Sequence, residues 1–474
     1  MRFSFLKYLF GIIFCLVGAS ALSQTEIKGK VVDFTQLLPI ESASVYVQNS
    51  TIGTITNADG KFSLTVPEKF VNDTLVISSI GFKSYKTPVK EFDGSMDIFL
   101  EEDIASLDEV MIIAETRPKT GNDIVLRALE ELPDNLPEQP YLQKGFLRHK
   151  ERNKKEFKWL IEAAFTLYDS SFASGAKDNL KVNIDQIRKS YDLRDVDSLF
   201  AYTSYLKYHE HKVKVRSKTL RRDTIETASL VKAIKWNDER VNGLDNLFKG
   251  KLNLIRNANA KGALFGEGVL KTHQFKLDTV LVENDRKLYK IKILKGGDYV
   301  GLNTKNIYNE GFEPEGWLYI YWDNYAFKKV DYKLVAASPA QKRRSKSLFD
   351  TLVNHKLELT YKAYNDKMYP SYIYYETPKL VQVGNRSSDK IDKKKAKANR
   401  EEQFYYTVQE LLFTEIIDDP LQVEQALQQE WSSDIFVSRP YNATFWKNYN
   451  VLLESDEEEQ LIQDLSKRAS LFKE

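Results

Sequence analysis

Five histidines are the chain's whole supply of a side chain that both ligates metals and titrates near neutral pH: His149, His209, His211, His273 and His355. His355 and Glu358 stand at His-x-x-Glu spacing, the first half of a zinc-hydrolase centre that needs a second His far downstream. No His follows position 355, and the alternating pattern around it predicts a strand, which sends 355 and 358 to opposite faces. His209 and His211 would share one side if Tyr205–Val215 is a strand, a two-nitrogen start for Zn²⁺ with His149, His273 or His355 as the third. In so charged a run they read instead as surface residues. The single cysteine, Cys15, lies in an apolar N-terminal stretch, so thiol chemistry and thiolate metal sites are not expected of the processed chain. No His-Glu-x-x-His, Gly-x-Ser-x-Gly or phosphate loop occurs. Gly266-Glu-Gly268 lacks the third glycine of a nucleotide loop and reads as a turn, and Asp59-Gly60 reads as a hairpin corner. Paired carboxylates abound, but none stands in a glycosidase setting. These residues assign no catalytic, cofactor-binding or metal site, and the chain reads as a non-enzyme.

The elements that must position any site fill 474 residues, too many for one ordinary core. Lys+Arg number 69 against 67 Asp+Glu, and Arg2 and Lys7 precede any acid, so the body of the chain is neutral. Neutrality gives no long-range field to gather nucleic acid. Twenty-six Tyr and 26 Phe against four Met lean the composition toward strands. Arg2 and Lys7 flank the start of the apolar run Tyr8 to Gly18, and Ala21-Leu22-Ser23 supplies small residues for a peptidase. Residues 1–23 are therefore expected to be a secretory signal peptide, cleaved before Gln24. The run is too short for a spanning helix, and no later segment reaches that length, so the processed chain is expected to cross no bilayer by a helix.

Residues 25–102 read as a small all-β unit. Ile27–Val32, Ala43–Val47, Lys61–Val66, Thr74–Ser78 and Met96–Leu100 alternate, with the Asn57-Ala-Asp-Gly60 turn among them. Gly29-Lys-Val-Val-Asp33, Pro39-Ile40 with Ala43–Val47, Gly53–Phe62 and Asp73–Phe82 follow in an order and spacing that resemble the carboxypeptidase regulatory-like domain. That resemblance implies a transthyretin-like, Ig-like β-sandwich of the kind common in exported proteins of Bacteroidetes, whose glycines and Asp-Gly turn serve fold rather than chemistry. Ser106-Leu-Asp-Glu-Val-Met-Ile-Ile113 is similar to the segment that follows this domain in TonB-dependent outer-membrane transporters. The rest of the chain lacks the serial amphipathic strands of a large barrel. The segment is read as a further strand or linker on its own sandwich, with edge pairing to a partner as the functional alternative.

Residues 103–121 read as a linker and 122–474 as a larger α+β domain with an antiparallel sheet and peripheral helices. Asn122 is expected to cap a helix ending at Leu132, before Pro133. Trp159, Ile161, Ala163, Phe165 and Leu167 fall on one strand face, as do Tyr289, Ile291 and Ile293, and Leu357, Leu359 and Tyr361. Glu283-Asn-Asp-Arg286 is a hairpin turn, and helical inserts are expected near 225–236 and 241–258. The aromatic run Glu315–Phe327, with Trp317 and Trp322, resembles paired strands of larger Bacteroidetes proteins and the curved sheets of lipoprotein-carrier proteins, which hold acyl chains. The basic run Lys390–Arg400 reads as solvated, and Ser455 with Glu458 forms a capping box for a C-terminal helix along Leu461, Leu465, Ala469 and Phe472. The expectation is a non-catalytic exported envelope protein, periplasmic or outer-membrane associated, that binds or scaffolds an envelope protein partner. The alternative is a carrier of a lipid or other apolar ligand, and the third reading a carboxypeptidase-associated enzyme. No cofactor and no nucleic-acid partner is expected.

Overall fold

Alternation of apolar and polar residues folds the first part of the chain into two facing sheets. In the computed structural model, β1 (Gln24–Asp33), β4 (Lys61–Pro67) and β7 (Ile98–Leu100) form one sheet in the order β4-β1-β7. The other is β3-β2-β5-β6, from β2 (Ser44–Val47), β3 (Gly53–Ile55), β5 (Thr74–Ser78) and β6 (Tyr85–Pro88). Val31, Val45, Val47, Leu64, Leu75 and Ile77 point between them and are fully buried. Gly60 takes φ +73° in the corner before β4, where a Cβ would lie 2.3 Å from the Val31 carbonyl oxygen, so only glycine fits. The structure describes residues 24–105, 118–152, 157–191, 224–302, 309–349, 352–379, 405–437 and 439–456, with Tyr202, Tyr205, Leu206, Tyr208, His209, Glu458, Glu459 and Gln463.

The second sheet uses longer strands: β8 (Ile104–Ala105), β9 (Tyr141–Arg152), β10 (Phe157–Asp169), β11 (Leu180–Tyr191), β12 (His273–Glu283), β13 (Arg286–Lys295), β14 (Val300–Gly301), β15 (Glu310–Tyr321), β16 (Phe327–Ala336), β17 (Asn354–Tyr364), β18 (Lys367–Lys379) and β19 (Tyr405–Ile417). Their order is β11-β10-β9-β19-β18-β17-β16-β15-β13-β12-β8, every described pairing antiparallel, with β14 on β15. Two hairpin turns, Asn284-Asp285 and Asn365-Asp366, put both central residues at positive φ, the geometry whose twist matches paired strands. The helices are α1 (Gly121–Glu130), α2 (Leu132–Asn135), α3 (Ala176–Asn179), α4 (Thr227–Asn242), α5 (Leu244–Lys249), α6 (Pro339–Phe349), α7 (Pro420–Leu427) and α8 (Ala443–Lys447).

Two helix-start expectations need correction. Thr120, not Asn122, caps α1, its Oγ1 accepting from the Asp123 amide at 3.2 Å. Asn122 is spent elsewhere, its Oδ1 accepting from the Phe275 amide at the β12 edge. Pro133 does not end the helical region; it sits inside the first turn of α2, where its missing N–H is harmless. The Ser455–Glu458 capping box is formed, the Glu458 amide donating to Ser455 Oγ at 3.2 Å. Leu461, Leu465, Ala469 and Phe472 lie outside the described residues, as do 106–113 and 390–400.

One buried cluster takes inward side chains from every long strand, β9 to β13 and β15 to β19, together with α1, α2 and α5. Strands stand about 4.8 Å apart, so a shared core requires the sheet to curl around it. The chain leaves the sheet at one edge strand, β11, and re-enters at β12 near the other. The intervening strap therefore crosses the concave face. Phe248 of α5 packs on Phe165 of β10 and Phe413 of β19, while Phe265, further along, packs on Phe275 of β12 and Tyr332 of β16. Among the described residues, no helix is long and apolar enough to cross a membrane.

The sandwich rests on the convex side. Ile55 joins Phe146, Ala164, Tyr372, Leu412, Trp446 and Leu452 in a separate apolar cluster there. Gly81 N donates to Val282 O, Lys362 Nζ to Thr51 O at 2.7 Å, and Asn57 Nδ2 to Glu454 O at 2.7 Å.

Candidate functional site on the concave face

Strand alternation sends Arg148 and Lys150 of β9 to the convex side and Leu147, His149 and Glu151 to the concave side. The register then builds rows across adjacent strands. Leu147, Leu411 and Ile373 stand side by side, with Leu359 next in line. One step along, His149 faces Gln409 and Gln409 faces Tyr375. The last row sets Glu151 against Thr407 and Thr407 against Thr377, whose Oγ1 lies 2.9 Å from His355 Nδ1. The concave face thus changes from apolar to polar within one residue step, and all of these polar groups are buried.

The apolar end depends on close approach. A Cβ on Gly145 would meet the Phe165 ring at 2.5 Å, and its absence lets Phe165 reach Phe413 with ring centroids 5.6 Å apart. A cavity of about 30 Å³ is left among Leu136, Tyr141, Phe248, Arg256, Tyr361 and Met368, room for about one water. Beside it Arg256 grips Asp169 through two hydrogen bonds of 2.6 and 2.7 Å and donates to the Ser171 carbonyl.

At the polar end, Asp238 of α4 is 1% exposed and places Oδ2 3.8 Å from His149 Nε2. A ligand atom from each of His149, Glu151 and Asp238 lies within 4.8 Å of the other two. Gln409 Nε2 stands 3.3 Å from His149 Nδ1. Burial pushes His355 and His273 down to about 4, because the charged imidazole is the form that loses most hydration. His273 Nε2 lies 2.8 Å from the Tyr332 hydroxyl and Nδ1 2.8 Å from Thr272 Oγ1.

The convex side carries charge instead. Arg148 meets Glu162 at 2.9 Å and Glu454 at 2.6 Å, and Arg188 meets Glu162 at 2.6 Å. Lys150 pairs with Glu410 at 2.8 Å and with Glu458. Burial opposes its ammonium, but the two carboxylates prevail and raise its pKa. A polar cavity of about 270 Å³ lies here between Glu41 and Thr56 of the sandwich and Lys150, Tyr372, Glu410 and Glu458.

The residues singled out by spacing disperse. His355 faces the concave core, while Glu358 faces outward to Lys329 at 2.9 Å, the separation that alternation predicts. His209 is helical rather than in a strand, in a nest with Tyr205, Tyr208 and Trp236, and His211 lies outside the described residues. The strand that would have set His209 on one face is therefore absent at His209 itself. Gly266 and Gly268 form turns. The aromatic run that the sequence offers as a ligand-lining surface divides between faces. Leu318 and Ile320 turn inward, whereas Trp317 is half-exposed with Lys290 Nζ 4.5 Å from its ring centre. Neither Trp317 nor Trp322 lines the two cavities described. The grouping that spacing missed is His149 with Glu151, an alternate pair on a strand, because Asp238 reaches it only through the strap.

Comparison with known proteins places residues 27–112 in the CarboxypepD_reg-like domain family. The match runs through the Leu107-Asp-Glu-Val110 stretch. The chain is 35% identical over 136 residues to the TonB-dependent receptor SusC of Bacteroides thetaiotaomicron, covering 27% of this chain and 13% of the receptor. It is 31% identical over 124 residues to the TonB-dependent receptor P39 of Formosa agariphila, covering 26% and 12%. The chain therefore spans only about an eighth of the length of these curated relatives. Among solved structures it is similar to a LolA superfamily protein from Nitrosomonas europaea, at 10% identity and TM-score 0.20, over 65% of this chain and 97% of that one. A putative outer membrane lipoprotein-sorting protein domain from Vibrio parahaemolyticus matches at 9% identity and TM-score 0.23, over 64% and 97%. Scores this low carry no argument about ligand or activity.

Proposed function

We propose that this is a non-catalytic, exported protein of the cell envelope that binds its target without transforming it, and that its ligand face is the concave side of the curled sheet beneath the strap. The ligand class is an apolar chain such as a lipid acyl group. The observation that carries this reading is topological: a segment running from one sheet margin to the other covers the apolar rows Leu147–Leu411–Ile373–Leu359 and Phe165–Phe413. Such a cover can lift without breaking the sheet's ladder, and lifting it uncovers apolar surface. Beneath Phe248 the cavity is only about 30 Å³, so the cover is closed at that point.

The test is a titration of the processed chain, residues 24–474, with a fluorescent fatty acid, followed by hydrogen exchange. One acyl chain bound per protein, with changed exchange in 224–272, is the expected result. No binding and unchanged exchange would remove the proposal.

A second reading, capture of an envelope protein partner by the sandwich, has its own observation. Phe34, Leu37, Leu38 and Phe99 are exposed large apolar side chains on the sandwich, with the Phe34 and Phe99 rings 6.3 Å apart, and such patches mark interaction surfaces. Phe34→Ser with Phe99→Ser should abolish partner recovery from envelope extracts while leaving acyl binding intact. Unchanged recovery would exclude this surface.

A further inference from the structure

We propose that His149, Glu151 and Asp238 hold a divalent first-row metal ion, zinc in the first instance, which pins the strap to the sheet. His149 and Glu151 alternate on β9 and so share the concave side. Asp238 comes from α4 in the strap, so the three donors meet only when the strap lies on the sheet. Their ligand atoms already stand within 4.8 Å of one another, with His149 Nε2 and Asp238 Oδ2 at 3.8 Å. Zinc bonds of about 2.0–2.2 Å place neighbouring donors about 3.5 Å apart in a tetrahedral set, so small side-chain rotations complete the geometry.

The surroundings point the same way. His149 is 0% exposed and both carboxylates 1%, so the three donors form a pocket screened from water, where a metal ion competes with few water ligands. Gln409 on the neighbouring strand lies against His149 Nδ1. Metal binding through His149 Nε2 requires this amide to turn its oxygen to the ring and accept from Nδ1–H, the tautomer that presents Nε2 to the metal. One nitrogen and two carboxylate donors suit zinc or manganese, and they suit calcium poorly, since calcium takes six to eight oxygens. The inference stands whatever ligand the concave face takes.

The experiment uses the processed chain, purified without chelator and without a histidine tag, then stripped with EDTA and titrated with ZnCl₂. Uptake of one zinc per chain, a higher melting temperature and slower exchange in α4 are expected. Asp238→Asn and Glu151→Gln, which preserve side-chain shape, should each weaken zinc at least about tenfold, as loss of even an indirect partner does, and abolish the thermal shift. No uptake and no shift by the unaltered chain would overturn the site. Undiminished uptake by both variants would overturn it too, by placing the metal elsewhere. If neither variant folds, the visible spectrum of Co²⁺ in the unaltered chain decides: tetrahedral bands support the site, and their absence rejects it.

Discussion

On the convex side of β9, Arg148, Lys150 and Arg188 face four acids, Glu162, Glu410, Glu454 and Glu458. Glu454 bears the excess: burial pushes it up to about 7 from an ordinary 4.5, even against the attraction of Arg148. Its folded form therefore keeps a proton that the unfolded chain releases, so its contribution to stability falls as pH rises from 4.5 to about 7. Glu454→Gln copies the protonated state. The variant should match the natural chain in melting temperature near pH 4.5 and exceed it above pH 7; a variant less stable at the higher pH would show that the Arg148 pair outweighs burial. The buried histidines slope the other way. His273 and His355 titrate near 4 when folded against 6.5 when unfolded, so the stability they contribute is present above 6.5 and lost as pH falls toward 4. His355→Gln should flatten that acid limb while leaving the Glu454 window in place. Thermal unfolding of both single variants across pH separates the two slopes, and an unchanged acid limb in His355→Gln would refute the second.

Among the elements, the strap is the one whose packing decides whether the concave face is open. Phe248 is one of its buried aromatics, 1% exposed, with ring centroids 6.1 Å from Phe165 and 6.3 Å from Phe413. Truncating a buried Phe costs about 3–5 kcal/mol, and here most of that loss should fall on strap closure. Phe248→Ala should therefore speed amide exchange across 224–272 far more than in β9, β18 and β19, and should strengthen binding of an apolar fluorophore. Uniform loss of protection through the sheet would mean that strap and sheet open together and that the cover is no separate unit. The strands of this sheet were legible because the period of two is a local property: Ile161, Ala163, Phe165 and Leu167 all enter one core. The cap of α1 was not. Thr120 and Asn122 are both good capping residues, and the choice between them was made by the β12 edge, which takes Asn122 through the Phe275 amide. Trp317 misled for a similar reason: an aromatic residue on a strand buries on whichever face has cover, and Lys290 supplies that cover outside.

At the scale of the whole molecule, the candidate site shows what a linear reading lacks. His149 and Glu151 announce a shared face, but nothing local ties them to Asp238, which arrives by a crossing from one sheet margin to the other. The same holds for the joint between the two domains, which residues after 440 help to carry. Asn450 Oδ1 accepts from the Thr65 amide at 2.8 Å, the Glu454 carbonyl accepts from Asn57, and Asp456 meets Lys61 at 2.6 Å. Toward the sheet, Trp446 packs on Phe146 under the Arg188 guanidinium, Tyr449 donates to the Gly145 carbonyl, and Glu454 and Glu458 close the ion network. This segment is thus a stitch bonded to both partners. The direct contacts of sandwich on sheet include the hydrogen bonds of Lys362 with Thr51, Ser84 with Asn284, Asn284 with Tyr46 and Gly81 with Val282, and each such bond contributes about 1 kcal/mol net. The natural chain should therefore unfold in one calorimetric transition, and a chain ending at Arg439 in two, as the sandwich and the sheet lose their common tie. The sheet transition should also move lower, because Phe146 and Leu412 lose the apolar cover that α8 supplies. A single transition retained in the shortened chain would mean that the direct contacts alone couple the domains, and would reduce the stitch to a cover for the convex face.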